Sequence, residues 1–515
     1  MEQKWWTLIA VCVGIFMLLI DITVVNVALP SIQRSLHASF SDLQWVVNAY
    51  ALMLAALLLT AGSLADLFGR KRIFSIGLVI FTAASLTCAL AQSPLMLNVS
   101  RAVQGIGGAV MLATSLALIA EAFRGRDRAA AFAVYGAVIG AAVAVGPLVG
   151  GALTSGLGWR WIFFVNVPIG VGAFALTLRT VAESRDPGAT RIDWAGLVSF
   201  SGALFLLVYG LIQANSAGWG SAEIIGCFAG AVALLGAFVI AERVQQRPMF
   251  DLTLLRRPAF AGASIVGFAL SASMFALFLY LTLYIQNVLR FSPFQAGLRF
   301  LPMTLLLFFV SPLAGRLTTR VPIRALLAAG LLAVAGALVL MSGLSASSSW
   351  THLLPGFILG GIGIGIVNPP LASTAVGVVP YHRSGMASGI NNTFRQTGTA
   401  TGIAALGAVF QHELTVRTLS GLRHAGQLGA VAHVAHGQLG ASLASGSAQT
   451  LSGKLGPAAR AALDHSFRVA FTGALNEILL IAAAIALVGA IGGLVLVRRS
   501  DFIAQPGADA APAAA

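Results

Sequence analysis

The chain has 515 residues, of which 58% are hydrophobic and only 9% charged, with a mean hydropathy of +0.89. That balance excludes a water-soluble globule, and the formal net charge of +14 does not indicate nucleic acid, because basic residues recur in short loops instead of forming one patch. Cys12, Cys88 and Cys227 all fall in apolar stretches without metal-ligand spacing, so neither a disulfide framework nor a metal site is indicated.

A membrane span needs about 20 mostly apolar residues, and fourteen such stretches follow one another along the chain. They begin near Trp6, Leu43, Ile73, Leu95, Ala129, Trp161, Trp194, Glu223, Ala259, Pro293, Ile323, Leu353, Met386 and Phe467. The first runs past signal-peptide length and carries Asp21, which predicts a retained span rather than a cleaved leader. Between the second and third lies Gly62-Ser63-Leu64-Ala65-Asp66-Leu67-Phe68-Gly69-Arg70-Lys71-Arg72, a tight turn for which Gly62 and Gly69 are suited. Loops 69–72, 124–128, 179–191, 243–257, 316–324 and 382–383 and the tail at Arg498-Arg499 are basic. Loops 91–94, 155–158, 214–220 and 345–351 are short and nearly uncharged. Lys and Arg favour the cytoplasmic face, so both termini are predicted to be cytoplasmic. The stretch 412–466 is predicted to be a long, solvated outer loop rich in Ala, Gly and Ser. It holds five of the eight histidines, but His424, His433 and His436 show no dependable ligand spacing. Residues 501–515 are Ala- and Pro-rich and predicted to be disordered.

Charges deep in a span are costly and mark function. Asp21 lies nine residues before Pro30, about 13 Å from the outer end of its helix. Arg101 lies roughly 12 Å into the fourth span, so the two are predicted to meet across a cavity. A carboxylate at that depth can gain or lose a proton as the cavity changes sides, which makes Asp21 the leading proton carrier; the alternative is a structural pair in which each satisfies the other. Glu477 and Arg395 are each expected about 15 Å deep, near the midplane of the second half. Asn391, Asn392, Arg395 and Gln396 form a polar stripe within an apolar helix, a candidate cavity lining together with Asn26 and Gln104. Asp66 is suited to a helix N-terminus, and the start of the thirteenth span, at 384–388, is the expected partner.

The 62–72 segment resembles the G-x-L-x-D-x-x-G-R-[KR]-[KR] loop of the major facilitator superfamily. Gly315-Arg316-Leu317-Thr318-Thr319-Arg320 echoes it, with Thr319 in place of Asp66, and Gly360, Gly361, Gly363 and Gly365 echo Gly105, Gly107 and Gly108. The resemblance implies an all-α membrane protein with two six-helix halves, 1–182 and 248–500, and a two-helix insertion at 183–247. Fourteen spans narrow it to the drug:proton antiporter family of EmrB/QacA type. Leu19-Ile20-Asp21-Ile22-Thr23-Val24-Val25-Asn26-Val27-Ala28-Leu29-Pro30 is similar to that family's opening signature. Met249-Phe250-Asp251-Leu252 and the stretch from Tyr284-Ile285-Gln286-Asn287 to Gly297-Leu298-Arg299 agree as well. Arg101-Ala102-Val103-Gln104-Gly105-Ile106-Gly107-Gly108 resembles the R-x-x-Q-G-x-G motif whose arginine the family implicates in proton transfer. Gly140, Gly146, Pro147, Gly150 and Gly151 resemble the antiporter signature, in which proline kinks the helix and glycines let a facing helix close.

The resemblance implies a bacterial cytoplasmic-membrane exporter of amphipathic small molecules in exchange for protons, coupled through Asp21, Arg101 and Glu477. Gly62, Asp66, Gly69, Arg70 and Arg72 are its gate loop. Export of a native metabolite, or import on the same fold, stands as the alternative. No cofactor is expected beyond the coupling proton. The expected partners are the substrate and the lipid, with a periplasmic adaptor protein as an option and a monomer otherwise. There is no G-x-x-x-x-G-K-[ST] loop and only three lysines, which argues against ATP as the energy source. H-E-x-x-H and G-x-S-x-G are absent, which argues against an enzyme. Asp21 or Glu477 would attract cations and Arg101 or Arg395 anions, so substrate charge stays open.

Overall fold

The structure is a computed structural model that describes residues 2–123, 125–185, 192–245, 248–379, 383–434, 455–498 and 501–502. Among these every regular element is helical, as expected where apolar surroundings force the backbone to satisfy its own hydrogen bonds. The helices are α1 (Gln3–Leu36), α2 (Phe40–Phe68), α3 (Arg70–Ala89), α4 (Pro94–Ala122), α5 (Gly125–Gly156), α6 (Trp161–Phe164), α7 (Asn166–Thr180), α8 (Trp194–Ala217) and α9 (Ala222–Val244). They continue with α10 (Pro258–Leu270), α11 (Ala276–Leu283), α12 (Pro293–Leu317), α13 (Ile323–Met341), α14 (Leu354–Gly377), α15 (Ser384–His424), α16 (Leu428–Val434) and α17 (Pro457–Leu496). The π-helical turn Ser271–Phe275 joins α10 to α11, and a second, Tyr284–Val288, extends α11, so the four segments form one rod.

Among the described residues, thirteen rods are long and apolar enough to cross a membrane. The predicted span that is not among them, the thirteenth in chain order, falls on α15, which is too rich in Thr, Asn, Gln and Arg to meet that criterion but packs against α2, α8, α10 and α17.

Two expectations are corrected. Gly62 makes no turn: it lies inside α2, where a Cβ would meet nothing, because 63–68 continue the helix. Gly69 alone turns the chain, with φ +111°, and serves as both the last cap of α2 and the first cap of α3. The predicted outer loop 412–466 is helical at both ends. α15 runs on to His424 and α17 starts at Pro457, because Leu422, Val431, Leu455 and Leu463 bury one another in a small separate core. Residues 435–454, with His436, lie outside the described residues, as do most of the tail and 186–191.

One core gathers α1 to α5 and α7 around Ile15, Leu18, Phe74, Phe81 and Met111. A larger one runs from α1, α2 and α6 into α10 to α15 and α17. α8 and α9 pack on each other, and α8 lies on the seam of α2 and α15 through Val208, Ile212, Ala51, Ala400 and Ala404.

Contacts across the molecule favour one end. Away from the end where α1 begins, Gln286 Nε2 donates to the Val27 carbonyl at 2.7 Å and Phe294 N to Ser155 Oγ at 2.9 Å. Gln44 Nε2 donates to the Ile403 carbonyl at 3.1 Å. Phe410 there packs on Phe40, Tyr280 and Phe471, with ring centroids 4.9–5.5 Å apart. α5 follows α12 through this region, down to Gly140 against Phe308. One turn further toward the other end, a side chain at Gly136 would meet open space.

Candidate functional site

Asp21, 1% exposed, sits in the middle of α1 and faces Arg101 of α4, also 1% exposed. Arg101 Nη1 donates to Asp21 Oδ2 at 2.5 Å. The other carboxylate oxygen accepts from Gln104 Nε2 at 2.9 Å and from Asn166 Nδ2 of α7 at 3.0 Å. Arg101 also donates to Gln104 Oε1 at 2.6 Å and, through Nε, to the Val46 carbonyl at 3.0 Å. Its guanidinium lies over the Tyr50 ring, 4.3 Å from the centroid. Ser85 of α3 accepts from Gln104 Nε2 at 2.7 Å and Asn166 Nδ2 at 3.4 Å.

Four helices therefore meet at one buried ion pair. Such a pair gains little net stability, but removing one partner leaves an uncompensated charge costing about 3–5 kcal/mol. Loss of the carboxylate's charge would weaken bonds to α4 and α7 at once.

The glycines of α5 fit α5 to both of its neighbours. A Cβ at Gly146 would overlap the Thr23 hydroxyl, two residues from Asp21, and one at Gly150 would lie 2.8 Å from the Val24 carbonyl. On the opposite side, a Cβ at Gly151 would lie 2.6 Å from the Pro293 carbonyl, and Thr304 Oγ1 donates to the Ala144 carbonyl at 3.0 Å. α5 stays one helix through Pro147. It is thus the element shared by the Asp21 helix and α12.

At the 62–72 turn, Asp66 holds Arg70, with Nε at 3.0 Å and Nη2 at 2.8 Å. The antiparallel register of α2 on α15, set by Gln44 at Gly407 and Leu59 at Gly389, brings Asp66 level with the start of α15. Its carboxylate nevertheless bonds within its own turn. Glu183, which sequence reasoning missed, caps α3: it accepts from Lys71 N at 3.0 Å and Arg72 N at 3.2 Å. A Cβ at Gly69 would lie 2.7 Å from that carboxylate, a second reason for glycine.

The second group does not assemble as expected. Glu477 pairs with Arg417 at 2.8 Å, beside Glu413, and is 39% exposed. Its neighbour Asn476 exchanges bonds of 2.9 and 2.8 Å with Leu344, in the loop that follows α13. Glu477 is therefore level with a connecting loop rather than at mid-depth, because α17 starts ten residues before the expected Phe467. Arg395 is not with it; it lies half-buried between α10 and α14, its Cγ 3.1 Å from where a Gly267 Cβ would be. Asn391 Nδ2 donates to the Ala263 carbonyl at 3.3 Å and Asn26 Nδ2 to the Ile22 carbonyl at 3.2 Å. Asn392 and Gln396 are half-buried. Among the described residues, no three His, Cys, Asp or Glu side chains converge as metal ligands.

Comparison with known proteins agrees with this architecture. Residues 11–403 match the Major Facilitator Superfamily. The chain is 38% identical to multidrug resistance protein Stp of Mycobacterium tuberculosis, covering 78% of this chain and 75% of that one. It is 39% identical to the puromycin resistance protein pur8 of Streptomyces alboniger, over 79% and 82% of the two chains. Against the tetracenomycin C resistance and export protein of Streptomyces glaucescens it is 34% identical, over 79% and 76%. Among solved structures, a bacterial homologue of the human lysosomal transporter Spinster, inward-facing and occupied, superposes with a TM-score of 0.61 at 18% identity. That match covers 98% of this chain and 99% of the other and speaks to the fold alone.

Proposed function

The chain belongs to the major facilitator superfamily, and from that premise we propose that it exports amphipathic small molecules from a bacterial cell in exchange for protons. It is a multi-pass membrane transporter with drug- and antibiotic-resistance relatives, not an enzyme. We assign both termini to the cytoplasm and count α15 as a span, the thirteenth of fourteen. Residues 1–182 and 248–500 are then the two halves, with α8 and α9 as the insertion beside them. In this frame we assign the end held together by Gln286, Ser155 and Phe410 to the outer side.

The observation that carries the reading is the buried Asp21–Arg101 pair with Gln104 and Asn166 closed around it. When the cavity faces outward, a proton on Asp21 cancels the charge that holds Arg101, and the four helices regain freedom. When it faces inward, the proton leaves to the cytoplasm and the ion pair re-forms. Gly146 and Gly150 pass the rearrangement of α1 to α5, and α5 passes it to α12. The Asp66–Arg70 turn with its Glu183 cap works at the cytoplasmic gate. Glu477, paired near a loop, is secondary to Asp21 in coupling.

The test uses proteoliposomes with an imposed proton gradient, loaded with puromycin and a panel of dyes. Substrate-driven proton movement is expected for the native protein and absent for Asp21→Asn. Wild-type proton movement in Asp21→Asn would move the coupling site elsewhere.

A further inference from the structure

Between Asp251 and Glu413 the chain contains no Asp or Glu, although α10 to α14 and most of α15 lie in that stretch. The same stretch places Arg395 eleven residues into α15, about 16 Å along the helix axis. Its stem rests on Gly267 of α10, with Leu371 of α14 beside the same point. Among the described residues its guanidinium has neither a hydrogen bond nor an ion pair, and the residue is only half-buried.

The contrast with Arg101 is instructive, because that cation has a carboxylate, an amide, a carbonyl and an aromatic face. Acids on the surrounding elements have partners of their own. Asp251 pairs with Arg383, Glu413 and Glu477 share Arg417, Asp21 holds Arg101, and Asp193 and Glu242 accept from the backbone at Gly196 and Phe250. Nearby on α15, the Thr397 hydroxyl is buried without a partner and is a further donor.

A cation inside the span region is costly unless something of opposite charge meets it. Here the helices around it supply no such charge. A cleft lined by one sign of charge concentrates ligands of the other sign, and a guanidinium offers two parallel donors that match a carboxylate's geometry.

We propose that Arg395 is the anchor for an anionic oxygen group on the transported compound, so that the preferred substrates are amphipathic acids, carboxylates or phenolates on an apolar body. The inference rests on the export reading only in treating this space as part of the substrate path. Gly267 positions the anchor, since any side chain there would push the arginine stem away.

The test separates binding from transport. Binding of dansylglycine, its primary amide and a dansyl compound ending in trimethylammonium is measured on the purified full-length protein by fluorescence. Dansylglycine is expected to bind at least about tenfold more tightly than the amide, the scale of one charge-assisted hydrogen bond, and the trimethylammonium compound least. Arg395→Gln should remove the preference for dansylglycine over the amide, and Arg395→Lys should restore part of it. Equal or stronger binding of the amide or the cation to the native protein would overturn the anchor, whether or not any variant folds. Preferential binding of dansylglycine without its transport in proteoliposomes would instead overturn the export reading and leave the anchor standing.

Discussion

Asp21 and Arg101 are single residues whose consequences reach four helices. Asp21→Asn keeps the size of the side chain and its capacity to bond Gln104 and Asn166 while removing the titratable charge. We expect uncoupled protein that still binds substrate, checked by comparing substrate binding with proton movement in the same preparation. Arg101→Ala leaves a buried carboxylate facing an empty site and should destabilise the fold by about 3–5 kcal/mol. Thermal unfolding in detergent reads that loss, and an unchanged midpoint would show that water already compensates the pair. The meeting of Asp21 with Arg101 was legible because both depths could be counted from helix ends. Asn166 and Ser85 were not legible: each is an ordinary polar residue in its own segment, and only packing of α3 on α4 and of α7 on α1 and α3 brings Ser85 to Gln104 and Asn166 to the carboxylate. Glu477 was misplaced for the same reason in reverse, since its depth was counted from a helix start that apolar content alone sets too late.

The 62–72 turn shows how much an element depends on one position. Gly69→Ala would force a side chain into the left-handed region and against the Glu183 carboxylate, within 2.7 Å. A loss of about 1–2 kcal/mol is expected from the backbone alone. Glu183→Ala should relieve the contact but not the backbone strain, so partial rescue in thermal unfolding is the expected outcome. Asp66→Asn should insert normally and bind substrate with native affinity but turn over slowly, because the Arg70 contact lies at the gate and away from the cavity. A sharp fall in affinity at unchanged turnover would contradict that. Most helix starts fell within a few residues of expectation because Ser, Pro and Gly mark them in sequence, as Ser39 does with Asp42 at α2. α15 is the exception in kind: its polarity hides a rod that only its neighbours justify.

For the molecule as a whole, the contacts that join α5 to α12 at one end predict that locking that end stops the cycle. In a background free of Cys12, Cys88 and Cys227, Ser155→Cys with Phe294→Cys joined by a short thiol cross-linker should abolish transport, and cleavage of the linker should restore it. Undiminished transport with the link intact would mean that this end never opens. Orientation is checked separately, by a reporter active only outside the cytoplasm: bright when fused after residue 440, dark at the C-terminus. The proposed division into halves draws on repeated glycine motifs, whereas the resting place of α8 on the α2 and α15 seam was not legible in the sequence, since its apolar surface fits lipid and protein equally well. The 41-residue α15 also spans about 61 Å, twice the roughly 30 Å hydrocarbon thickness. It behaves like the needle of a gauge. Its tip at His424 stands about 44 Å beyond Arg395, so a 10° tilt at the membrane centre would swing it by roughly 8 Å. A fluorescent label there would turn each stroke of the hidden site into a displacement measurable at the helix tip.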